Sequence, residues 1–424
     1  MQSKSTTQLI VQALLVLTVP ALALSSIGTL PAGLSWLFIS LAGLVACLGC
    51  VRLQGEPIAN TTHPALPAAR WWLLACIAAF VLMAIPTAYW AGPWTERHPQ
   101  WRLMIGAFGL WGVLRYSVPS SRTVQALATA AAVACLLAYG LVITSGSSAA
   151  PTNRIPWMAG LALLSCALLS LSYSLQNAPI RLRYFWLAAS AVMPVTALIS
   201  GVRGSWPMLL VWPVLLWRLH GSAPLLWGRA WKWIVPLLAV LLAAGLHFIP
   251  EGDNPMIRIT AFLQETALTT HEAPVSRDTS NGVRVALYKL GMAHVLDQPW
   301  LGLGPVKTKQ LIRAELESIG AHSQILIGHM HSDLLHPWME FGLFGLAGYL
   351  AYAVGLAMAA WHFRRQSNCP GLSYGLMALL VMHLSTGQSA MNFSHNYYPL
   401  MLAMCTALVM LGCEHHAEQN RSSS

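Results

Sequence analysis

Five ionisable side chains crowd the stretch "GHMHSDLLHPWMEFG" (Gly328–Gly342): His329, His331, Asp333, His336 and Glu340. An imidazole has an unperturbed pKa near 6.5, so it can take or return a proton close to neutrality. His329-x-His331 with Asp333 and His336 also offers nitrogen and oxygen donors to a metal, and zinc asks for three or four converging at about 2.0 to 2.2 Å. His336 and Glu340 are better spaced as an i, i+4 pair on one helical face. Nothing else completes a metal pattern, so the expected site holds none. A purely structural role is open too: Ser332 or Asp333 would cap the following helix, and the carboxylate would favour the positive end of its dipole.

Two arginines stand in segments of similar character. Arg203 lies in "SGVRGSWP", where glycines leave the backbone open and Ser205 and Pro207 open the next apolar run. Arg284 lies in "SNGVRVALYKLG", at the start of an amphipathic stretch. Guanidinium grips phosphate oxygens bidentately, and a helix N-terminus beside Arg203 would add N–H groups. Either arginine would equally serve by snorkelling to lipid headgroups.

The elements that must position these residues are set by composition. The 424 residues are 56% hydrophobic and only 9% charged, with a mean hydropathy of +0.57. That balance belongs to an all-α polytopic membrane protein. About twelve spans are expected, near 8–28, 33–51, 71–91, 101–117, 123–145, 156–175, 183–200, 205–219, 231–250, 335–361, 372–389 and 397–413, within a single integral membrane domain covering 1–424. The fourth, eighth and eleventh are short or polar.

The net charge of +10 sorts by side once the spans are drawn. Thirteen Lys and Arg fall in segments on the side of the N-terminus, against four (Arg97, Arg102, Arg154, Arg203) in the short loops opposite. By the positive-inside rule both termini are cytoplasmic, and the basic balance is a topology signal that calls for no nucleic-acid partner. The eight cysteines lie in spans or at their cytoplasmic ends, so no extracytoplasmic disulfide is expected, and Cys47-x-x-Cys50 reads as two small buried residues. The first apolar stretch is expected to be a retained span.

One connection is long. Residues 251–334, between spans nine and ten, carry seven Lys/Arg against nine Asp/Glu and form no basic patch. Val283, Ala286, Leu287, Leu290 and Ala293 recur at helical spacing, and a second polar helix is expected over Val306–Ile319 after the turn "QPWLGLGP". Long loops in compact proteins are usually functional. Both arginines and the histidine cluster fall on this outer face, level with lipid phosphates.

Three segments in this order carry a resemblance. "HSDLLHPWMEFGLFGLAGYL" is similar to the motif of the O-antigen ligase and polymerase superfamily, with His331 as its histidine, Ser332 as the polar neighbour and Glu340-Phe341-Gly342 as its Glu-x-Gly. "GVRGSW" resembles the family's Ser-Arg-Gly segment, with Val202 in place of the serine. "VRVALYKLGMAHVLDQPWLGLGP" resembles its arginine, amphipathic helix and Pro-x-x-Gly-x-Gly, and His336 stands where Gln is common. The similarity runs from about Leu198 to the end of span ten.

The resemblance implies a membrane glycosyltransferase of C-type architecture in the bacterial inner membrane, with a periplasmic site. An O-antigen ligase would move a glycan from undecaprenyl diphosphate to lipid A core oligosaccharide, inverting the anomeric centre, without cofactor. Arg203 and Arg284 would hold the diphosphate among the membrane lipids, and His331 would act as general base or as a third diphosphate ligand. His329, Asp333, His336 and Glu340 are secondary candidates. An O-antigen polymerase or protein O-oligosaccharyltransferase of the same superfamily is the alternative. A transporter would be expected to carry ionisable residues at the bilayer midplane, where these spans are almost free of them.

Overall fold

The structure is a computed structural model and describes residues 6–52, 63–90, 100–117, 119–145, 153–220, 280–321, 328–365, 370–388 and 391–413, with a few more between 236 and 243. The apolar runs are helices: α1 (Thr6–Ala23), α2 (Thr29–Arg52), α3 (Leu66–Tyr89), α4 (Gln100–Tyr116), α5 (Ser121–Ser145), α6 (Arg154–Ser174), α7 (Ile180–Ile199), α8 (Met208–His220), α11 (Leu335–Arg365), α12 (Pro370–Thr386) and α13 (Tyr397–Leu411). Between α8 and α11 come two further helices, α9 (Ser280–His294) and α10 (Gly304–Ser318). Helices apolar all round have no face to turn to water, and in lipid each backbone polar group must pair within its own segment.

Eleven of the twelve expected spans recur as α1–α8 and α11–α13, their ends shifted by a few residues. The expected ninth, 231–250, lies largely outside the described residues, as do residues 251–279 of the long loop. Seven helices are long and apolar enough to cross a membrane. The helices α4, α8, α12 and α13 are shorter, at 17, 13, 17 and 15 residues. There is no strand among the described residues, and the chain is an all-α polytopic membrane protein.

Two helices form the centre. Every residue from Pro156 to Tyr173 in α6 and from Tyr397 to Leu411 in α13 is buried. Around them the bundle has two chemically different ends. At one, tryptophan N–H groups tie loops to helix starts: Trp157 to the Ser26 carbonyl, Trp36 to that of Arg102 and Trp90 to that of Leu301, each at 2.9 Å. Arg102, Arg154 and Arg203 gather at this end. Arg115, Arg183, Arg218, Arg364 and Arg365 mark the other.

The pair α9 and α10 caps the first end with an apolar core of its own, in which Val283, Leu287, Ile312 and Leu316 meet Met330, Leu335 and Met339. Of the residues expected on the buried face of α9, Val283 and Leu287 are buried, Ala286 and Leu290 partly so, and Ala293 is exposed. A backbone clamp fixes this unit. Gly342 interrupts α11 at φ 64°, ψ −152°, so a short helix over 335–341 meets a long one at a kink. Gly302, at φ 67°, packs on that kink: a Cβ on it would lie 2.5 Å from the Glu340 carbonyl, and one on Gly342 would lie 2.4 Å from that of Trp300. Only glycine permits both the torsions and the approach. The amide of Leu303 donates to the Met339 carbonyl at 2.9 Å, and that of Leu343 to the Pro299 carbonyl at 2.7 Å. The turn "QPWLGLGP" and the Glu-x-Gly motif are thus the two halves of one joint.

Candidate active site

The three expected positions meet at the capped end. Gly201, at φ 63°, turns the chain after α7, and Arg203 opens the single helical turn Arg203–Ser205 ahead of α8. Arg284 comes from the first turn of α9. Though 81 positions apart in sequence, the two arginines line one cavity of about 480 Å³, with Asn153, Arg154, Gly201 and Gly204 around them. Arg154 begins α6, and its Nη2 donates to the Ser200 carbonyl at 3.1 Å. Asn153 caps the same helix by accepting from the Ile155 amide, and its Nδ2 donates to His395 Nε2 at 3.2 Å.

His331 stands beside Arg284. Its φ of 52° is the one left-handed torsion at a non-glycine among the described residues, so the His-x-His pair turns sharply and is not an extended strand. The amide of His331 donates to His329 Nδ1 at 3.3 Å, which leaves the neutral His329 proton on Nε2. The two rings meet edge to face, 4.7 Å between centroids. The carbonyl of His331 accepts from the Tyr288 hydroxyl at 3.2 Å, and that hydroxyl also reaches the Gln388 carbonyl. Tyr288 lies one turn along α9 from Arg284, so one helix supplies both the charge beside His331 and the contact to its backbone.

Burial and then the Arg284 charge push His331 down to about 4. Burial, and after it His331, His336 and His395, push His329 down to about 3. Both imidazoles are therefore neutral near pH 7 and able to accept a proton. The Nδ1 of His331 is buried with no hydrogen-bond partner.

The secondary candidates divide. Ser332 is the cap of α11, its Oγ accepting from the Leu335 amide at 3.1 Å and the Leu334 amide at 3.3 Å. Asp333 does not cap the helix. It is buried, its amide donates to the Gly387 carbonyl at 2.7 Å, and its Oδ1 accepts from the Phe393 amide at 3.0 Å. Burial raises its pKa well above the usual carboxylate range, against the opposing pull of the Phe393 and Asn392 amides, and its contacts strap the histidine turn to the loop between α12 and α13. His336 Nε2 and Glu340 Oε2 lie 2.9 Å apart, both buried, as the i, i+4 pair expected. No three His, Cys, Asp or Glu side chains are grouped as metal ligands among the described residues.

Sequence reasoning missed Arg154, Asn153, His395 and Tyr288. Arg154 had been visible as one of four bases on the outer side, and Tyr288 as the residue one turn from Arg284; the Asn153–His395 pair spans 242 positions and left no local signal.

These features define a class: a polytopic helical membrane protein whose extended loop closes an arginine-lined cavity at one end of the bundle, with neutral histidines at its side. Residues 184–350 are similar to the family described as O-Antigen ligase. The match holds Arg203, Arg284, His331 and the glycine joint, and leaves out Arg154 and His395. No match appears among curated proteins.

Proposed function

We propose that the protein is an O-antigen ligase of the bacterial inner membrane, transferring polysaccharide from undecaprenyl diphosphate to lipid A core oligosaccharide at the periplasmic face. The observation that carries this reading is the convergence of Arg203 and Arg284 on one cavity, with His331 beside Arg284. A lipid-linked donor keeps its tail in the bilayer and its diphosphate at headgroup level, and the sidedness of the basic residues supports a periplasmic position for that level.

In this mechanism the acceptor hydroxyl oxygen attacks the anomeric carbon, the bond from that carbon to the diphosphate oxygen breaks, and configuration inverts. Arg203 and Arg284 offset the charge that grows on the departing diphosphate, which is the work a metal ion does in other glycosyltransferases. Arg154, at the same cavity, adds a third guanidinium. The hydroxyl proton passes to His331, a step worth roughly 10²- to 10⁴-fold. Burial lowers the His331 pKa most and the Arg284 charge adds to it; bound diphosphate would oppose the Arg284 part and so raise the basicity of His331 when substrate is present.

Glycan analysis of a deletion strain tests the proposal. The expected result is lipid A core without polymer while polymer accumulates on the lipid carrier. Loss of the polymer itself would assign the chain to the polymerases.

A further inference from the structure

A second recess opens at the same end, on the other side of the segment that joins α12 to α13. It is a groove of about 460 Å³ between α2, α4 and the start of α13, walled by Leu30, Gly33, Leu34, Trp36, Leu37 and Leu400. Leu30 and Leu37 are 73% and 38% exposed, so this wall faces the lipid in a membrane-embedded chain. Among the described residues that line it, one is a cation. Arg102 Nη1 donates to Asn396 Oδ1 at 2.6 Å, its guanidinium lies 4.8 Å from the centre of the Trp101 ring, and its carbonyl receives the Trp36 indole N–H. Both of these partners are neutral, so among the described residues the charge is fixed in place without being cancelled.

The groove is joined to the arginine cavity by two adjacent residues. Asn396 holds Arg102 of the groove, and His395 binds Asn153 of the cavity. Consecutive Cα atoms are about 3.8 Å apart, so the cavity and the groove are reached from either side of one peptide unit.

We infer that this groove seats the membrane anchor of the acceptor, an acylated and phosphorylated saccharide lipid, with an acyl chain against the leucines and a phosphate on Arg102. The inference rests on the ligase reading. Charge decides between occupants. The tail of a polyprenyl diphosphate bears no charge beyond the diphosphate, which the cavity already meets with Arg154, Arg203 and Arg284. A groove with a cation of its own fits a lipid whose phosphate sits directly above its acyl chains. Its place beside the cavity, across His395–Asn396, puts the acceptor headgroup next to the donor and favours a substrate over bulk phospholipid.

The test uses the full chain in nanodiscs, with bisphosphorylated lipid A and its dephosphorylated form as binding probes, and lipid A core as acceptor in turnover. Two variants are compared with the parent. Arg102→Gln removes the charge and keeps a hydrogen-bonding side chain. Gly33→Leu fills the groove where a Cβ would meet only the Leu400 side chain, at 3.8 Å, so the helix packing has room for it. The parent should bind the bisphosphorylated lipid about tenfold more tightly than the dephosphorylated form, and Arg102→Gln should erase that preference. Gly33→Leu should weaken both forms alike. In turnover both variants should raise the acceptor KM by about tenfold and leave the donor KM and the rate at saturating acceptor unchanged. A raised donor KM would give the groove to the donor tail; a phosphate preference that survives in Arg102→Gln, or KM values unchanged in both variants, would leave it to bulk lipid. Either result overturns the inference. If the parent binds with the expected preference but transfers nothing to lipid A core, the site stands and the ligase assignment falls.

Discussion

The joint between Gly302 and Gly342 carries a definite energetic consequence for Gly342→Ala. The native torsions, φ 64° and ψ −152°, lie in a region essentially reserved to glycine, at a cost of about 1–3 kcal/mol for another residue. The added Cβ would stand 2.4 Å from the Trp300 carbonyl carbon and oxygen, so the two backbones must part. Parting them breaks the Leu343–Pro299 and Leu303–Met339 hydrogen bonds, at roughly 1 kcal/mol each. Together this is about 3–5 kcal/mol against the docking of α9 and α10 on α11, or a fall of about 10²- to 10⁴-fold in the docking equilibrium. Arg284 and Tyr288 ride on α9, so undocking removes one cavity arginine and the contact to the His331 carbonyl. Hydrogen exchange should therefore speed up across 280–318 and donor binding should weaken, while amides of α6 and α13 exchange as before. Unchanged exchange across 280–318 with normal donor binding would refute the joint as what positions the site.

Three further outcomes are expected. His329 and His331 have folded pKa values near 3 and 4 against about 6.5 in an unfolded chain, so the unfolded form takes up protons first as pH falls. Their contribution is complete above about pH 6.5 and is lost progressively down to about pH 4 for His331 and about pH 3 for His329, costing on the order of 2 kcal/mol per histidine at pH 5. Thermal unfolding between pH 7.5 and 4.5 should show this slope, and His329→Asn should flatten it. A cysteine at exposed Lys307 should react with an impermeant thiol reagent on spheroplasts and one at exposed Ser120 should not, and the reverse pattern would move the site to the cytoplasm. Transfer by the purified protein should persist in excess chelator; loss of activity with rescue by zinc or magnesium would require the histidine cluster to be reread as metal ligands.

The spans were legible because about 20 apolar residues in a row have few alternatives, and the helices begin and end near where such runs do. Arg203 and Arg284 stood out as candidates from side-chain chemistry and from falling on the same expected side of the spans, and the fold brings them to one cavity. What held them together was not legible. Arg154 reads in sequence as one more loop charge, whereas in the fold it bonds to the Ser200 carbonyl and lines the cavity. Asp333 has the spacing of a helix cap, yet Ser332 takes that role and Asp333 straps the loop 60 positions downstream. Gly302 and Gly342 each stood in a recognisable motif, but their contact joins two segments whose local patterns carry no trace of each other. In each case the missing information is a long-range contact, which periodicity and composition do not encode.

Donor binding measured beside turnover tests the central claim most directly, in purified Arg203→Lys, Arg284→Lys and His331→Ala. Lysine keeps the charge but loses the planar fork that grips two phosphate oxygens. Both arginine variants should therefore bind the lipid diphosphate more weakly and lose most transfer. His331→Ala leaves both cavity arginines in place, so it should bind donor nearly as well as the parent protein and fail to turn over. Donor binding as poor in His331→Ala as in the arginine variants would make His331 a diphosphate ligand and remove the base from the mechanism, and full transfer by Arg203→Lys would contradict the assignment of the cavity to the diphosphate.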